Sequence, residues 1–415
     1  MLSPDDIRSL QVEKPVAGGR MIARVDGQVV LVAGAIPGER VTARIERVSK
    51  RVAYAQTMRV DEPSADRRPV DADPECGGTL YRHIAYERQL AIKRDVIVDA
   101  FVRIGRLTLP ATLAVAASRE DGYRMRARLH VRGRRVGFFR EATHDLCDVR
   151  ATRQLLPVSC DVLDRVTAML RSLGVDGVRE IELSENVDAS ERALALDTDV
   201  PIDGRVVERM AGIDGITGVV SRVAVHGRPH VVDRIDVGDA RLELRRHVLA
   251  FFQGNRYLLR DLVAHVVGCL HDGAALDLYA GVGLFAVAAA AARGLSVTAV
   301  EGDRHAAADL DVNVSHVSGV RAIHAAVETH VRSIHRQADQ RTIIVDPPRT
   351  GLSREALDGI LALAAPRIVY VSCDVATLAR DARKIVDARY AVARADAFDL
   401  FPNTPHVETV VVFDR

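Results

Sequence analysis

The stretch YVSCDVATLARD, Tyr370 to Asp381, sets one cysteine, Cys373, between a strand-like apolar run (Arg367 to Val371) and a helix-like segment that begins near Thr377. A thiol at the carboxyl end of a strand and just ahead of a helix N-terminus has its thiolate, the nucleophilic form, stabilised by the helix's partial positive charge. A lone cysteine is more often a small buried hydrophobe, so its neighbours decide the matter. Upstream, IIVDPPRTGL (Ile343 to Leu352) is an apolar strand that stops at Asp346, because Pro347 and Pro348 can continue neither a central strand nor a helix. Downstream, DLFPNTPHVETVVVF (Asp399 to Phe413) carries His406 and Glu408 directly before a strand. Glu408 is thereby a candidate general base aimed at the same crevice as Cys373, where open α/β sheets bind ligands.

A cofactor signature stands earlier in the chain. In ALDLYAGVGLFAVAAAAA (Ala275 to Ala292) a strand runs into Gly281 and Gly283 and then an alanine-rich helix. The glycines allow a tight turn and close approach of a ligand to the backbone, and the helix N-terminus favours anionic groups. The next strand ends at Glu301, where an acidic side chain can take both hydroxyls of a ribose. Ala286 occupies the third glycine place of a dinucleotide turn, which leans the site towards S-adenosylmethionine. Strands and helices alternating through these motifs require an α/β sheet with its chemistry at the carboxyl ends.

The rest of the chain suggests an RNA partner. From Gln11 to Arg59, short strands with glycine turns predict a small five-stranded barrel, and Arg40, Arg44, Arg47, Lys50, Arg51 and Arg59 give it a basic side. Between Arg119 and Arg153, Arg124, Arg126, Arg128, Arg132, Arg134, Arg135 and Arg140 recur at alternating positions suited to one face of a strand, where phosphate contacts add salt-sensitive affinity. The balance of 57 basic and 56 acidic residues encodes no long-range attraction, so any affinity for RNA must come from local clusters. Polar runs divide the 415 residues into 1–62 (barrel), 63–240 (central α+β) and 241–415 (α/β). No apolar run has membrane character and the polar N-terminus has no secretory signal, so a cytoplasmic protein is expected.

The motifs FFQGN, DLYAGVG, DPPRTGL, VSCDVATLARD and FPNTPHVETV resemble those of the RNA uracil-5-methyltransferase family over essentially the whole chain, and the barrel segment resembles a TRAM domain. The resemblance implies a Rossmann-like class I methyltransferase domain preceded by a small OB-like β-barrel and a central mixed α+β domain. It places Cys373 at the nucleophile and Glu408 at the general base. Gln253, Tyr279, Glu301 and Asp346 fall on positions that contact S-adenosyl-L-methionine, and one of Phe251 and Phe252 belongs near cofactor or base. It further implies a monomer acting on RNA, ribosomal rather than transfer RNA.

Departures from the family pattern carry their own expectations. Val375 replaces a usual proline, Ala280 a frequent cysteine, and Glu328 is the available acid for adenine. Many members hold a four-iron four-sulfur cluster, but only Cys76 of the close ligand set remains, with Val70 and Thr79 at the other two places and Cys147 matching the distant one. Two thiolates cannot supply four ligands, so an iron-sulfur cluster is expected to be absent, with Cys76 and Cys147 as structural neighbours. A lasting disulfide between them is disfavoured in a reducing cytoplasm, and Cys160 and Cys269 read as packed apolar positions. Two rival functions are an RNA cytosine-5-methyltransferase, which would resemble chains with a cysteine where this one has Arg349, and a catalytically inactive RNA-binding protein of the same fold.

Overall fold

The computed structural model describes residues 2–110, 113–133, 135–141, 143–334 and 340–415. The glycine-punctuated N-terminal strands β1 (Ile7–Pro15), β2 (Met21–Val25), β3 (Gln28–Ala33), β4 (Arg40–Val48) and β5 (Val52–Glu62) close into a barrel in the order β1-β2-β3-β5-β4. Alternate residues such as Leu10, Val12, Val30, Val32, Val41 and Ile45 fill it. Part of its basic side is already committed to acids: Arg40 pairs with Glu62 and Arg59 with Asp61. Arg47 lies over the Tyr54 ring, 4.2 Å from its centroid.

Helix α1 (Tyr86–Ala100) runs into a π-helical turn (Phe101–Gly105), and the short strand β6 (Val115–Ala116) follows. A seven-stranded sheet is then built from β7 (Arg126–Arg132), β8 (Arg135–Phe139), β9 (Leu146–Asp148), β10 (Val178–Glu185), β11 (Arg192–Thr198), β12 (Gly218–Val220) and β13 (Val225–Gly227), ordered β13-β12-β11-β10-β7-β8-β9. Helices α2 (Pro157–Ser172) and α3 (Gly204–Ala211) cover one face, where Ala127, Leu129, Ile181, Leu183, Val166 and Met210 pack. Period-two alternation puts Arg126, Arg128, His130 and Arg132 on the opposite face. The expected arginine ribbon is therefore real for Arg126, Arg128 and Arg132, but Glu182 of the neighbouring strand already pairs with Arg126 and Arg128. Arg124 bonds Gln154 and Arg140 pairs with Asp73, while Arg134 lies outside the described residues.

The hairpin β14 (His230–Val237) and β15 (Ala240–His247) turns at the point where the boundary at 240 was drawn. Its Ile235, Val237, Leu242 and Leu244 share a core with α4 (Leu259–Gly268), so a cut there would separate paired strands and part the first of them from that core. Beyond it come β16 (Ala274–Leu278), α5 (Leu284–Arg293), β17 (Ser296–Glu301), α6 (Arg304–Val314), β18 (Val320–His324), α7 (Val327–Ser333), β19 (Gln340–Val345), α8 (Arg354–Leu363), β20 (Arg367–Ser372), α9 (Val375–Asp387), β21 (Ala391–Phe398) and β22 (Glu408–Asp414). Their sheet is ordered β18-β17-β16-β19-β20-β22-β21-β6, with β22 antiparallel to both neighbours and β6 added in parallel to β21. One apolar cluster holds α4 and α5 against one face, and a second holds α8, α9 and the end of α1 against the other. This is the Rossmann-like arrangement the sequence implies, behind the expected barrel.

The cysteine expectation needs correction. Cys76 and Cys147 are joined in a disulfide, with Cα atoms 5.9 Å apart. The register is responsible: Cys147 pairs opposite Phe138 on β8, and Cys76 forms an isolated bridge to Arg140 two residues further on. As ligands for a cluster these residues do not fit, since the two sulfurs are bonded to each other and Val70 and Thr79 have none to offer. The segment around Cys76 is also packed as expected, with Tyr81 fully buried and Leu80 beside it in the barrel's core. Cys160 and Cys269 are buried free thiols.

Closing a loop with a sequence separation of 71 residues should stabilise the oxidised protein by about 4 kcal/mol through loss of denatured-state entropy. Cys147→Ser should therefore lower the unfolding free energy by about that much without reductant and by less than about 1 kcal/mol with it. Denaturant melts under both conditions, with alkylation counting the free thiols, check this. Equal costs under both conditions would show that the bond does not form in solution.

Candidate active site

The edge of the large sheet lines up the singled-out residues in spatial order. Along the carboxyl ends of β17, β16, β19 and β20 stand Glu301, Tyr279 with Gly281, Asp346 and Cys373. Reversed strand β22 begins at this same edge with Glu408. Ser372 pairs with Thr409, so the next step of that register brings Cys373 level with Glu408. The order of strands reverses between β16 and β19, the switch point where open α/β sheets bind ligands.

These residues surround one cleft of about 680 Å³ that includes Gln253, Tyr279, Gly281, Glu301, Asp346, Cys373 and Glu408. On the cofactor side, Tyr279 (φ 61°), Gly281 (φ 57°) and Gly283 (φ 93°) hold left-handed backbone through the turn. A Cβ on Gly283 would lie 2.7 Å from Leu310, so only glycine fits there without displacement. At Gly281 the space is open towards the cleft, with the Phe251 carbonyl 3.9 Å away as the nearest atom a Cβ would meet. Glu301 accepts hydrogen bonds from the backbone N–H groups of Gly281 (2.8 Å), Gly302 (2.7 Å) and Asp303 (2.6 Å). Its carboxylate is thus fixed beside the turn, with lone pairs left for diol hydroxyls. A nucleoside cofactor fits this arrangement: open space at the glycine, an oriented acid and a helix N-terminus at Leu284.

On the reacting side, Asp374 caps α9 by accepting from the N–H of Thr377 (2.8 Å), so the helix starts two residues earlier than expected and its N-terminus abuts Cys373. Burial nevertheless pushes the half-buried Cys373 thiol up to about 12; the carboxyls of Glu408 and Asp346 add to the rise and Arg349 opposes it. Burial likewise drives Asp346 up to about 7, against the hydrogen bond it accepts from Gln253 Nε2 (3.0 Å). Glu408, 3 % exposed, is held well above the usual carboxylate range by burial and by Asp346, while Arg349 pulls it down. Asp277, beneath the glycine turn, is raised for the same reasons. Without ligand, then, burial disfavours the charged forms of Cys373, Asp346, Glu408 and Asp277.

The structure separates the two phenylalanines. Both border the cleft, but Phe251 is 60 % exposed, whereas Phe252 is 4 % exposed with the buried Arg246 guanidinium 4.6 Å from its ring centroid. Glu328 does not line the cleft; it accepts from Tyr279 Oη (3.4 Å) and Ser353 Oγ (2.9 Å) and so supports a cleft residue from behind. His406 packs edge-on against Phe401, which does line the cleft, and burial lowers His406 to about 4, so it is neutral at pH 7. Arg349 and Phe401 were not singled out as site residues. Their positions inside the DPPR and LFPNTPH motifs were the available signal.

The match to known proteins settles the family. A family model described as tRNA (Uracil-5-)-methyltransferase matches residues 213–415, and a TRAM domain model matches residues 7–58. The 23S rRNA (uracil(1939)-C(5))-methyltransferase RlmD of Pseudomonas putida is 30% identical over 428 residues, covering 98% of this chain and 93% of that one. The chain belongs to the RNA uracil-5-methyltransferase family. It is accordingly an S-adenosylmethionine-dependent RNA methyltransferase. An uncharacterised RNA methyltransferase of Lactobacillus johnsonii is also 30% identical, covering 95% of each chain. The crystal structure of Pyrococcus abyssi tRNA (uracil-54, C5)-methyltransferase in complex with S-adenosyl-L-homocysteine shares the fold, with a TM-score of 0.77 at 24% identity over 97% of this chain and 99% of that one.

A thiol pushed up to about 12 should be alkylated slowly at neutral pH, with the Cys373 rate in the free enzyme rising about tenfold per pH unit from 7 to 9, as the thiolate fraction does below the pKa. Arg349→Met should slow the reaction further at every pH, because the charge that favours the thiolate is gone. Mass-spectrometric rates of iodoacetamide labelling at Cys373 test both statements, and a pH-independent rate would contradict the first.

Proposed function

We propose that the enzyme methylates carbon 5 of a uridine in RNA through a transient bond between Cys373 Sγ and carbon 6, resolved by Glu408. The observation that carries this reading is the register that sets the Cys373 thiol level with Glu408, on the far side of Asp346 from the glycine turn. Carbon 5 of uracil is a weak nucleophile. Thiolate addition at carbon 6 moves the ring's electron pair towards the carbon 4 oxygen, giving an enolate whose carbon 5 attacks a methyl group. Bound S-adenosyl-L-methionine would supply that methyl from a sulfonium, whose carbon–sulfur bond breaks as the new bond forms. Glu408 then removes the proton on carbon 5, the ring double bond re-forms, and the Cys373 sulfur leaves.

The remaining residues orient the reactants. Glu301 takes the ribose diol, Tyr279 borders the adenosine end, and Gln253 with Asp346 occupies the space between cofactor and base. Pro347 and Pro348 fix the direction of the chain after Asp346. The target base must leave any stack to enter the cleft, at roughly a few kcal/mol, which favours looped or single-stranded RNA. We take the substrate to be ribosomal RNA: the relative that matches across 93% of its length is named for 23S rRNA. The family model is named for tRNA, so transfer RNA is the alternative to test. We assign 1–62 and the central segment to RNA contacts and the remainder to catalysis, in a cytoplasmic monomer. Among the described residues no helix is long and apolar enough to cross a membrane.

Cys373→Ala should abolish methyl transfer while leaving S-adenosyl-L-methionine affinity within about threefold, because the thiol meets the base and not the nucleoside. Any 5-methyluridine formed by that variant sinks the mechanism. Glu408→Gln should complete addition and methyl transfer but stall at release, leaving a protein–RNA band that survives denaturant. Turnover at the wild-type rate would remove Glu408 from the reaction. Mapping 5-methyluridine in RNA from cells with and without the gene decides between ribosomal and transfer RNA.

A further inference from the structure

On the open face of the central sheet, the pairing of His130 with Gly137 brings Phe139, two residues along β8, against the His130 ring. The two rings are stacked, with centroids 3.5 Å apart and planes 5° from parallel. His144 meets Phe139 edge-on at 5.2 Å, and the Arg132 guanidinium lies 5.7 Å from its centroid. Glu180 holds His130 Nδ1 at 3.1 Å, which fixes that ring. Packing does not explain the group. Phe138 points the other way and joins the apolar core, whereas half-exposed Phe139 belongs to no apolar cluster and has His130, His144 and Arg132 as its ring partners. The rings border an open hollow of about 280 Å³ whose rim also carries Arg132, Glu180, Asp197 and Arg179, the last already paired with Asp197 and Asp199.

The hollow lies on the same sheet face as the mouth of the catalytic cleft. Arg126, on the same face of β7, lines the cleft with its guanidinium 5.9 Å from the Phe251 ring centroid. His130 lies four residues further along the strand, roughly 13 Å at the usual rise. The barrel flanks the other side, where Glu141, two residues after Phe139, faces Arg20 at 3.7 Å. Stacked aromatic rings with an adjacent arginine, on a sheet face that leads to a base-accepting cleft, have the chemistry of a single-stranded nucleic-acid platform.

We propose that Phe139 and His130 form a second nucleobase site, on which an unpaired base of the substrate RNA a few nucleotides from the target uridine stacks, with Arg132 on the adjoining phosphate. This rests on the reading of the cleft as an RNA uridine site. The occupant follows from the chemistry: a flat apolar ring with a charged backbone matches an aromatic pair bordered by arginine, and the cleft holds the next part of the same strand.

The test uses the full-length protein and a fluorescent twelve-nucleotide oligouridylate with one central 5-fluorouridine, intact or carrying one abasic site stepped along the strand. Wild-type protein supplied with S-adenosyl-L-methionine and forming a denaturant-resistant adduct with the intact probe establishes the underlying reading separately. Phe139→Leu should weaken binding of the intact probe about tenfold, the usual scale for one stacked base, and Phe139→Tyr should restore it. In wild type, one abasic position should give the same loss, and combining it with Phe139→Leu should add nothing further. S-adenosyl-L-homocysteine affinity should be unchanged in both variants, which controls for folding. Unchanged RNA affinity in Phe139→Leu, or a loss equally large at every abasic position, overturns the platform. Absence of the adduct, with the probe still bound and the Phe139→Leu loss still seen, would overturn the cleft reading alone.

Discussion

The site depends on one strand running the wrong way. β22 enters between β20 and β21 antiparallel to both, so its first residue, and not its last, lies at the edge where the parallel strands deliver Cys373 and Asp346. A parallel β22 would carry Glu408 to the opposite edge of the sheet. Val410 and Val412 pack into the core on one face of the sheet and Val411 and Phe413 into the core on the other, so the strand is held from both sides. The relation of thiol to carboxyl is thereby set by the hydrophobic core.

What enters β22 is held just as firmly. Asn403, with φ 63°, accepts from Arg68 and Gln89 through its side chain, receives a bond from the N–H of Tyr81 at its carbonyl, and donates its own N–H to Gln89. Lys93 forms a buried ion pair with Asp399 at 2.5 Å and donates to the Phe401 carbonyl. Removing either charge of such a pair would strand the other in a low-dielectric interior, at a cost of about 3–5 kcal/mol. Gly19, in the turn between β1 and β2, sits where a Cβ would lie 3.1 Å from Pro405. The barrel and α1 thus bear on the loop that carries Phe401 and His406, so the N-terminal part of the chain has a share in the geometry of the cleft.

Much of this was legible because local rules sufficed. The strand-to-glycine turn at Tyr279 to Gly283, the proline stop after Asp346 and the apolar run after Glu408 each mark a strand end, and strand ends converge in an open α/β sheet. The barrel was legible from its turn glycines. Long-range partners were not. The bond between Cys76 and Cys147 follows from β8–β9 register and an isolated bridge, neither encoded near the cysteines. The arginines of β7 alternate as expected, but Glu180 and Glu182 arrive from β10, about fifty residues away, and take up much of their charge. Nor is it legible that Glu328 accepts from Tyr279 and Ser353, which lie 49 and 25 residues away in the chain. The addition of β6 to the sheet edge and the turn at 240 show the same thing: composition locates polar runs but does not say which strands pair across them.

The proton balance of the cleft gives the proposed roles an order. Burial disfavours charge on Cys373, Asp346 and Glu408 alike, yet the mechanism proposed above calls for a thiolate first and an ionised Glu408 later. Arg349 is the cation that opposes both of those shifts, and it stands on the DPPR turn beside them. A sulfonium held beside Asp346, as proposed, would add a second positive charge to the same low-dielectric space and favour the ionised forms further. The coupling is reciprocal, so ionised groups in turn hold a cationic cofactor more tightly than its neutral product. In the proposed sequence, methyl transfer would remove that charge just before Glu408 accepts a proton, and the loss of the neighbouring cation would raise the carboxylate's affinity for it. Release of the proposed covalent intermediate would thus be favoured by the same change that ends methyl transfer.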